Sequence, residues 1–370
     1  MELVPVREFA DRGTKWLLES PENVLGLLQI LDENLSKQID FSRLHDEKKS
    51  FILDNLRKQE SDLVFTAPFL DEDDGTEGEV LIYILIEHQS EPDVSMGFRM
   101  LFYMTQIWDT QRREWERDDV PKSQWSFSPI LPVLFYTGKP SWNTPISITD
   151  AMKQLPKPLE RFAPSHDMLF LNVKATDKEK LTFYGHPFGW LLRVIQQENM
   201  SLEELASELE LAIAQLDKLP DSESNQWIRA MHYILLLIYN RRVPEEHTKL
   251  TDIVANAVQD RKRREEVSKM GRTIAQALIE EGMEIGVEKG MEIGVEKGME
   301  IGVEKGMEIG VEKGIIQTKQ EDLIELIQFR FQSIRPEIND KIRSIQNVDK
   351  LTVFFRSALS ANSIDEIGIE

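Results

Sequence analysis

The chain has 370 residues, more than one ordinary domain holds, and 41% of them are hydrophobic, ample for a core. With no cysteine it has neither disulfide staples nor thiolate-bound zinc or iron–sulfur, which fits a reducing cytoplasmic setting. A net charge of −21 argues against broad binding of polyanions and confines any nucleic-acid contact to a local patch of Lys and Arg. No apolar run approaches the ~20 residues of a bilayer span, and the first residues lack a basic flank followed by an apolar stretch, so no membrane association is expected.

In chain order, residues 1–60 read as helices. Ser20-Pro21 is a start signal for an amphipathic stretch through Leu31. Asp11 is either an N-cap or an additional site acid. Asp62 opens a short apolar run, Leu63-Val-Phe, and an acidic turn at Asp71–Asp74 leads into a second run from Val80 to Ile86 that ends in Glu87-His88-Gln89-Ser90. That run is apolar at both alternating sets of positions, as in a strand covered on both faces, and therefore belongs in the middle of a sheet. A period of two puts Glu87 and Gln89 on the side of Leu81, Tyr83 and Leu85, with His88 on the other. A hairpin of the two runs brings Asp62 and Glu87 together at one end. Such a pair suits a hard divalent cation, which is commonly held by one or two carboxylates with backbone oxygen and water; acids that simply finish a strand are the alternative.

The following helix places Phe98, Leu101, Phe102, Thr105 and Trp108 on one stripe, expected to face the sheet. Arg99, Tyr103 and Gln106 form a second stripe, either a solvated face or one that contacts phosphate at the site edge. Pro129–Tyr136 is a third strand, ended by the Thr137-Gly138-Lys139-Pro140 turn, and Asp167–Val173 is a fourth. Strands and helices mixed in this order imply a layered α/β core. Lys139, Lys153, Lys157, Arg161, Lys174 and Lys178 make this stretch locally basic. The six histidines are scattered, without the spacing of a zinc hydrolase, and no nucleophile triad or phosphate-cradling glycine loop stands out.

Beyond residue 180 only helical signals remain. Ser201-Leu-Glu-Glu204 is a capping box, Trp227–Tyr239 a strongly apolar helix, and Pro244 opens a charged helix running to about Glu281. The basic cluster Arg261–Arg264 reads as a solvated face rather than a DNA contact. Four identical copies of Gly-Met-Glu-Ile-Gly-Val-Glu-Lys span 282–313. Glycine at every fourth position costs a helix roughly 1 kcal/mol each, so the repeat is either a helix stabilised by pairing with a second chain or a flexible spacer. Residues 315–370 regain helical periodicity, as a small domain suited to protein contact.

Several of these segments together resemble the Rpn family of recombination-promoting nucleases, within the PD-(D/E)XK nuclease superfamily. They are Asp11–Glu22, Asp62 through Glu87-His-Gln-Ser90, Met96–Trp108, and Leu131–Trp142 with its Tyr136-Thr-Gly138 core, all within residues 8–200. The resemblance implies a restriction-endonuclease-like mixed sheet at 1–200, then a helical region at 201–281, the repeat at 282–313 and a C-terminal helical domain at 315–370. It implies a DNA endonuclease that uses Mg²⁺, or Mn²⁺ in its place, and promotes recombination or travels with mobile DNA. Asp62 and Glu87 are the implied catalytic acids and metal ligands, with the His88 backbone carbonyl as a further ligand. Gln89 stands where the superfamily usually has Lys, and being neutral it predicts a slower enzyme or one more dependent on metal. Arg99, Tyr103, Gln106 and Lys139 are the expected nucleic-acid contacts. The alternative is a catalytically weakened relative acting as an oligomeric interaction protein through its C-terminal helices and repeat.

Overall fold

A computed structural model describes residues 9–47, 62–70, 79–152 and 156–369. The acidic turn at 71–74 and Lys153 lie outside them. The chain divides into two compact units, 1–281 and 282–370.

The first unit opens with α1 (Phe9–Leu18), α2 (Pro21–Leu31) and the short α3 (Glu33–Lys37). Asp32 ends α2 and caps α3 by accepting the Leu35 amide at 3.0 Å. Asp11 sits inside α1 and not before it, so it is not an N-cap. The expectation of helix throughout residues 1–60 also fails at β1 (His45–Asp46), an edge strand of two residues, too short to carry an alternation signal.

Strands β2 (Asp62–Leu70) and β3 (Glu79–Gln89) form the antiparallel hairpin, and α4 (Met96–Arg117) follows. Next come β4 (Ile130–Tyr136), α5 (Ile148–Ala151), α6 (Lys157–Glu160) and β5 (Leu169–Asn172). The sheet order is β1-β2-β3-β4-β5, with β1, β2 and β3 antiparallel and β3, β4 and β5 parallel. β3 is thus central, and its two faces enter different apolar clusters. Ile82, Ile84 and Ile86 join the main core with Leu17, Leu27 and Phe188, whereas Tyr83 and Leu85 pack with Met100, Tyr103, Met104 and Ile107 of α4.

The stripe that α4 turns inward is not the one expected. Phe98 is 56% exposed and Thr105 is exposed, while Met96, Met100, Tyr103, Met104 and Ile107 are buried. Flexible methionines fill the centre of this contact, Phe102 and Trp108 of the expected stripe pack against it partly buried, and Phe98, stacked on Phe102 at a ring separation of 6.1 Å, faces solvent. Gly97 lets this helix lie against the start of α5, since a Cβ there would fall inside the backbone of Ser147 and Ile148.

Helices α7 (Lys178–Thr182), α8 (Pro187–Gln197), α9 (Leu202–Leu216) and α10 (Ser224–Arg241) complete the main core. The N-cap of α8 is His186, whose Nδ1 accepts the Phe188 amide at 3.1 Å. Ser201 and Glu204 make the expected capping box on α9. The charged helix from Pro244 is broken: α11 (Pro244–Ala257) stops at Val258, whose buried side chain anchors the turn and whose carbonyl accepts two bonds from Arg264. Helix α12 (Arg261–Phe331) then begins. Nor is its basic start merely a solvated face. Arg263 is tied to the Asp217 and Leu219 carbonyls at 2.9 and 2.7 Å and lies over the Trp227 ring, so it is a structural pin.

The second unit contains the repeat, which is helical within α12 and exposed at every residue from 282 to 313. After it, Leu323 and Ile327 of α12 pack with Ile342 of α13 (Pro336–Ser344) and Leu351 and Ala358 of α14 (Val348–Ser360). Gln320 donates to the Arg343 and Ile345 carbonyls, both at 2.9 Å, and holds the end of α13. Among the described residues no helix is long and apolar enough to cross a membrane.

Replacing glycine by alanine inside a helix ordinarily stabilises by up to about 1 kcal/mol. Gly97→Ala is expected to do the reverse and cost about 1–3 kcal/mol, because the α4–α5 contact has no room for a methyl. Urea denaturation of the two proteins measures the sign directly.

Candidate active site

Glu87 lies two residues before the end of β3 and is fully buried. Its register partner across the hairpin is Asp62, the first residue of β2. Directly opposed residues of an antiparallel pair share a face and have Cα atoms roughly 4.5–5.5 Å apart. The backbone therefore brings the two acids together on the face covered by α4; the side chain of Asp62 lies outside the described residues.

A buried carboxylate needs compensation, and Glu87 receives it on one oxygen only. Its Oε1 accepts from Arg99 Nη2 at 2.6 Å and from Gln89 Nε2. Among the described residues Oε2, which is buried, has no hydrogen-bond partner. Arg99, only 17% exposed at its side chain, also pairs with Asp93 at 2.8 Å and donates to the Tyr103 hydroxyl at 3.2 Å. Asp93 in turn accepts from the Ser95 amide and hydroxyl, each at 2.7 Å, forming the turn that starts α4. Burial works to raise the Asp93 carboxyl, but the Arg99 and Ser95 bonds outweigh it and hold the group below its ordinary value.

The sequence-predicted residues thus separate into two sets. Glu87, Gln89, Arg99 and Tyr103 are joined by side-chain bonds, with Asp62 opposite. Gln106 is apart, two turns further along α4, its Oε1 buried and unpartnered. Tyr103 is a core residue, 7% exposed, whose hydroxyl accepts from Arg99 and whose ring lies 5.8 Å from the guanidinium. Asp93 was not singled out from sequence, although Asp-x-Ser before a helix is a turn signal that marks it.

His88 points to the opposite face, as strand alternation requires. Its Nε2 lies 2.8 Å from the Thr137 hydroxyl, and its ring lies 5.8 Å from that of Phe135. Burial, helped by the charge of Arg241, lowers its pKa to about 4, so the imidazole is neutral at ordinary pH. Lys139 is exposed on the turn after β4. That turn is held to the end of β3: the Thr137 amide donates to the Gln89 carbonyl at 3.1 Å, and a Cβ at Gly138 would collide with the Ser90 carbonyl.

Among the described residues no group of three or more His, Asp or Glu could hold a metal ion. The donor set at the end of β3 is smaller: two opposed acids, one with an uncommitted buried oxygen, and backbone carbonyls beside them. A hard divalent ion that keeps several waters needs no more from the protein.

A mixed sheet with an opposed acid pair at the end of its central strand, and helices over both faces, defines a layered α/β protein whose site lies at the strand ends. The chain belongs to the family described as "Putative transposase, YhgA-like", whose model matches residues 10–225. It is similar to recombination-promoting nuclease RpnD of Escherichia coli O157:H7, at 29% identity over 34% of this chain and 44% of that protein. Recombination-promoting nuclease RpnC of Escherichia coli K12 is 24% identical over 74% of this chain and 82% of its own length. The "inactive recombination-promoting nuclease-like protein RpnE" of the same strain is 31% identical over 35% of this chain and 40% of its own. The chain thus spans under half of RpnD and RpnE and about four-fifths of RpnC. No solved structure matches.

Two outcomes follow from this geometry. Arg99→Met leaves Glu87 buried with a single neutral donor, and a loss of roughly 3–5 kcal/mol in unfolding free energy is expected. Most of it should return in the Arg99→Met/Glu87→Met double variant, which a double-mutant cycle in urea measures.

The second concerns acid. Burial holds His88 and His186 at about 4, against an ordinary value of 6.5. Between those values the unfolded chain binds protons that the folded one refuses, so stability is fully present above about pH 6.5 and falls toward pH 4. His186→Asn keeps a capping side chain without the titration and should flatten the fall in melting temperature across that window.

Proposed function

We propose that this chain is a divalent-metal-dependent endonuclease that hydrolyses phosphodiester bonds of DNA, in recombination or in the movement of mobile DNA. The observation that carries the reading is the buried Glu87 Oε2, without a hydrogen-bond partner among the described residues, on the strand position in register with Asp62. An orphaned buried carboxylate oxygen is costly unless a ligand completes it. The names of the relatives support the substrate class.

Asp62 and Glu87 would hold Mg²⁺, or Mn²⁺, with the His88 carbonyl as a further oxygen. A metal so held lowers the pKa of its bound water and polarises the scissile phosphate. The protein's own groups do the rest. Gln89 donates to Glu87 Oε1 and fixes that carboxylate with its other oxygen uncommitted. Arg99 puts a permanent positive charge on the same carboxylate, where charge on a phosphate would develop. Tyr103 and Asp93 set the guanidinium plane. Gln89 itself can donate a hydrogen bond but adds no charge.

A second reading, a catalytically silent relative that acts through protein contacts, draws on the neutral residue at 89 and on the inactive relative. Conversion of supercoiled plasmid in Mg²⁺ or Mn²⁺ separates the two. The wild type is expected to cut, Asp62→Ala and Glu87→Ala to lose on the order of 10²-fold or more, and Gln89→Lys to match or exceed the wild type. Equal cutting by wild type and both alanine variants is a contaminant's signature and removes the assignment.

A further inference from the structure

A pocket of about 620 Å³ opens where β3 and β4 end, on the side of the strand reached by His88. Its walls include Gln89, Thr137, Lys139, Asn199 and Arg241. Gln89 is shared with the acid site, since its amide touches Glu87, so the cavity adjoins the place where a scissile phosphate would sit. The groups facing it are an imidazole, hydroxyls, amides, two cations and two carboxylates, a polar lining suited to the sugar–phosphate backbone where the cations prevail and not to an apolar ligand.

The two cations are held differently from their neighbours. Lys174 binds the Glu198 carboxylate at 3.0 Å and the Ile195 carbonyl, and Lys178 pairs with Glu208 at 2.8 Å, so both act as internal pins. Among the described residues Arg241, 47% exposed at its side chain, reaches no acid closer than Glu198 at 3.9 Å, and that carboxylate is already paired with Lys174. Lys139 is exposed on a braced turn: Gly138 packs against Ser90, and the Tyr136 hydroxyl donates to the Pro140 carbonyl at 2.6 Å. A cation presented from a rigid turn loses little freedom when it binds an anion. The acids of the wall are Glu198, so paired, and Glu91, which is exposed.

We propose that this pocket is a subsite for the phosphodiester backbone of the strand flanking the scissile bond, with Lys139 and Arg241 as its phosphate contacts. The inference rests on the nuclease reading above. It also gives α10, whose last residue is Arg241, a part in substrate binding, beyond the stretch of residues 10–225 that the family model matches.

The test uses the full chain and a fluorescent DNA duplex, with anisotropy titrations in Ca²⁺ over a range of salt and plasmid cutting in Mg²⁺. Arg241→Gln and Lys139→Gln should each weaken binding several-fold and reduce the slope of log affinity against log salt by about 0.9, the loss of one phosphate contact. Arg241→Lys should keep the slope. Melting temperatures identify any effect of misfolding, and Lys139, exposed on its turn, carries the test if Arg241→Gln is destabilised. Wild-type affinity and slope in both glutamine variants, with cutting by the wild type intact, overturns the subsite and leaves the nuclease reading standing. A wild type that neither binds nor cuts DNA overturns both.

Discussion

A carboxylate with no exposure to water, set two residues before the end of a central strand, is the constraint around which this site is organised. Taking a carboxylate out of water costs several kcal/mol, which only a partner of opposite charge or a set of donors offsets. Arg99 answers that need from α4, and its own position is fixed by Asp93 and Tyr103. The start of α4, the turn at Asp93–Ser95 and the close contact at Gly97 all serve to aim one guanidinium at one oxygen. Among the described residues the other oxygen stays uncommitted.

Much of this was legible in the chain. The unbroken apolar run into Glu87 identified a strand buried on both sides, and its alternation separated Glu87 from His88 before any coordinates. The register Asp62 to Glu87 follows from the hairpin. What could not be read was which stripe of α4 faces inward, because Met100 and Met104 compete with Phe98 and Phe102 on hydrophobicity alone, and packing shape decides between them. Arg99 was visible as an anion ligand, yet its first anion is the protein's own carboxylate. Long-range partners such as Arg241 leave no local pattern, since 152 positions separate it from Gln89 in the same pocket wall.

The same limit explains the helical half. The end of α11 is set by burial of Val258 and by Arg264 folding back on its carbonyl, neither of which has a periodic signature. Arg263 looks like part of a basic surface cluster and is in fact sheltered over an indole. Net charge misleads in a similar way: the formal −21 belongs to the whole chain, while the charged groups in the pocket wall at the strand ends are two cations, Lys139 and Arg241, and two acids, of which Glu198 is already paired with Lys174.

The octads are the reverse case, a helix in which nothing is packed: at none of the glycines from Gly282 to Gly314 would a methyl meet a neighbour within 4 Å. An octad gained or lost changes the helix by about 12 Å and disturbs no core. The packing of the helices on either side is therefore indifferent to how many octads the segment holds.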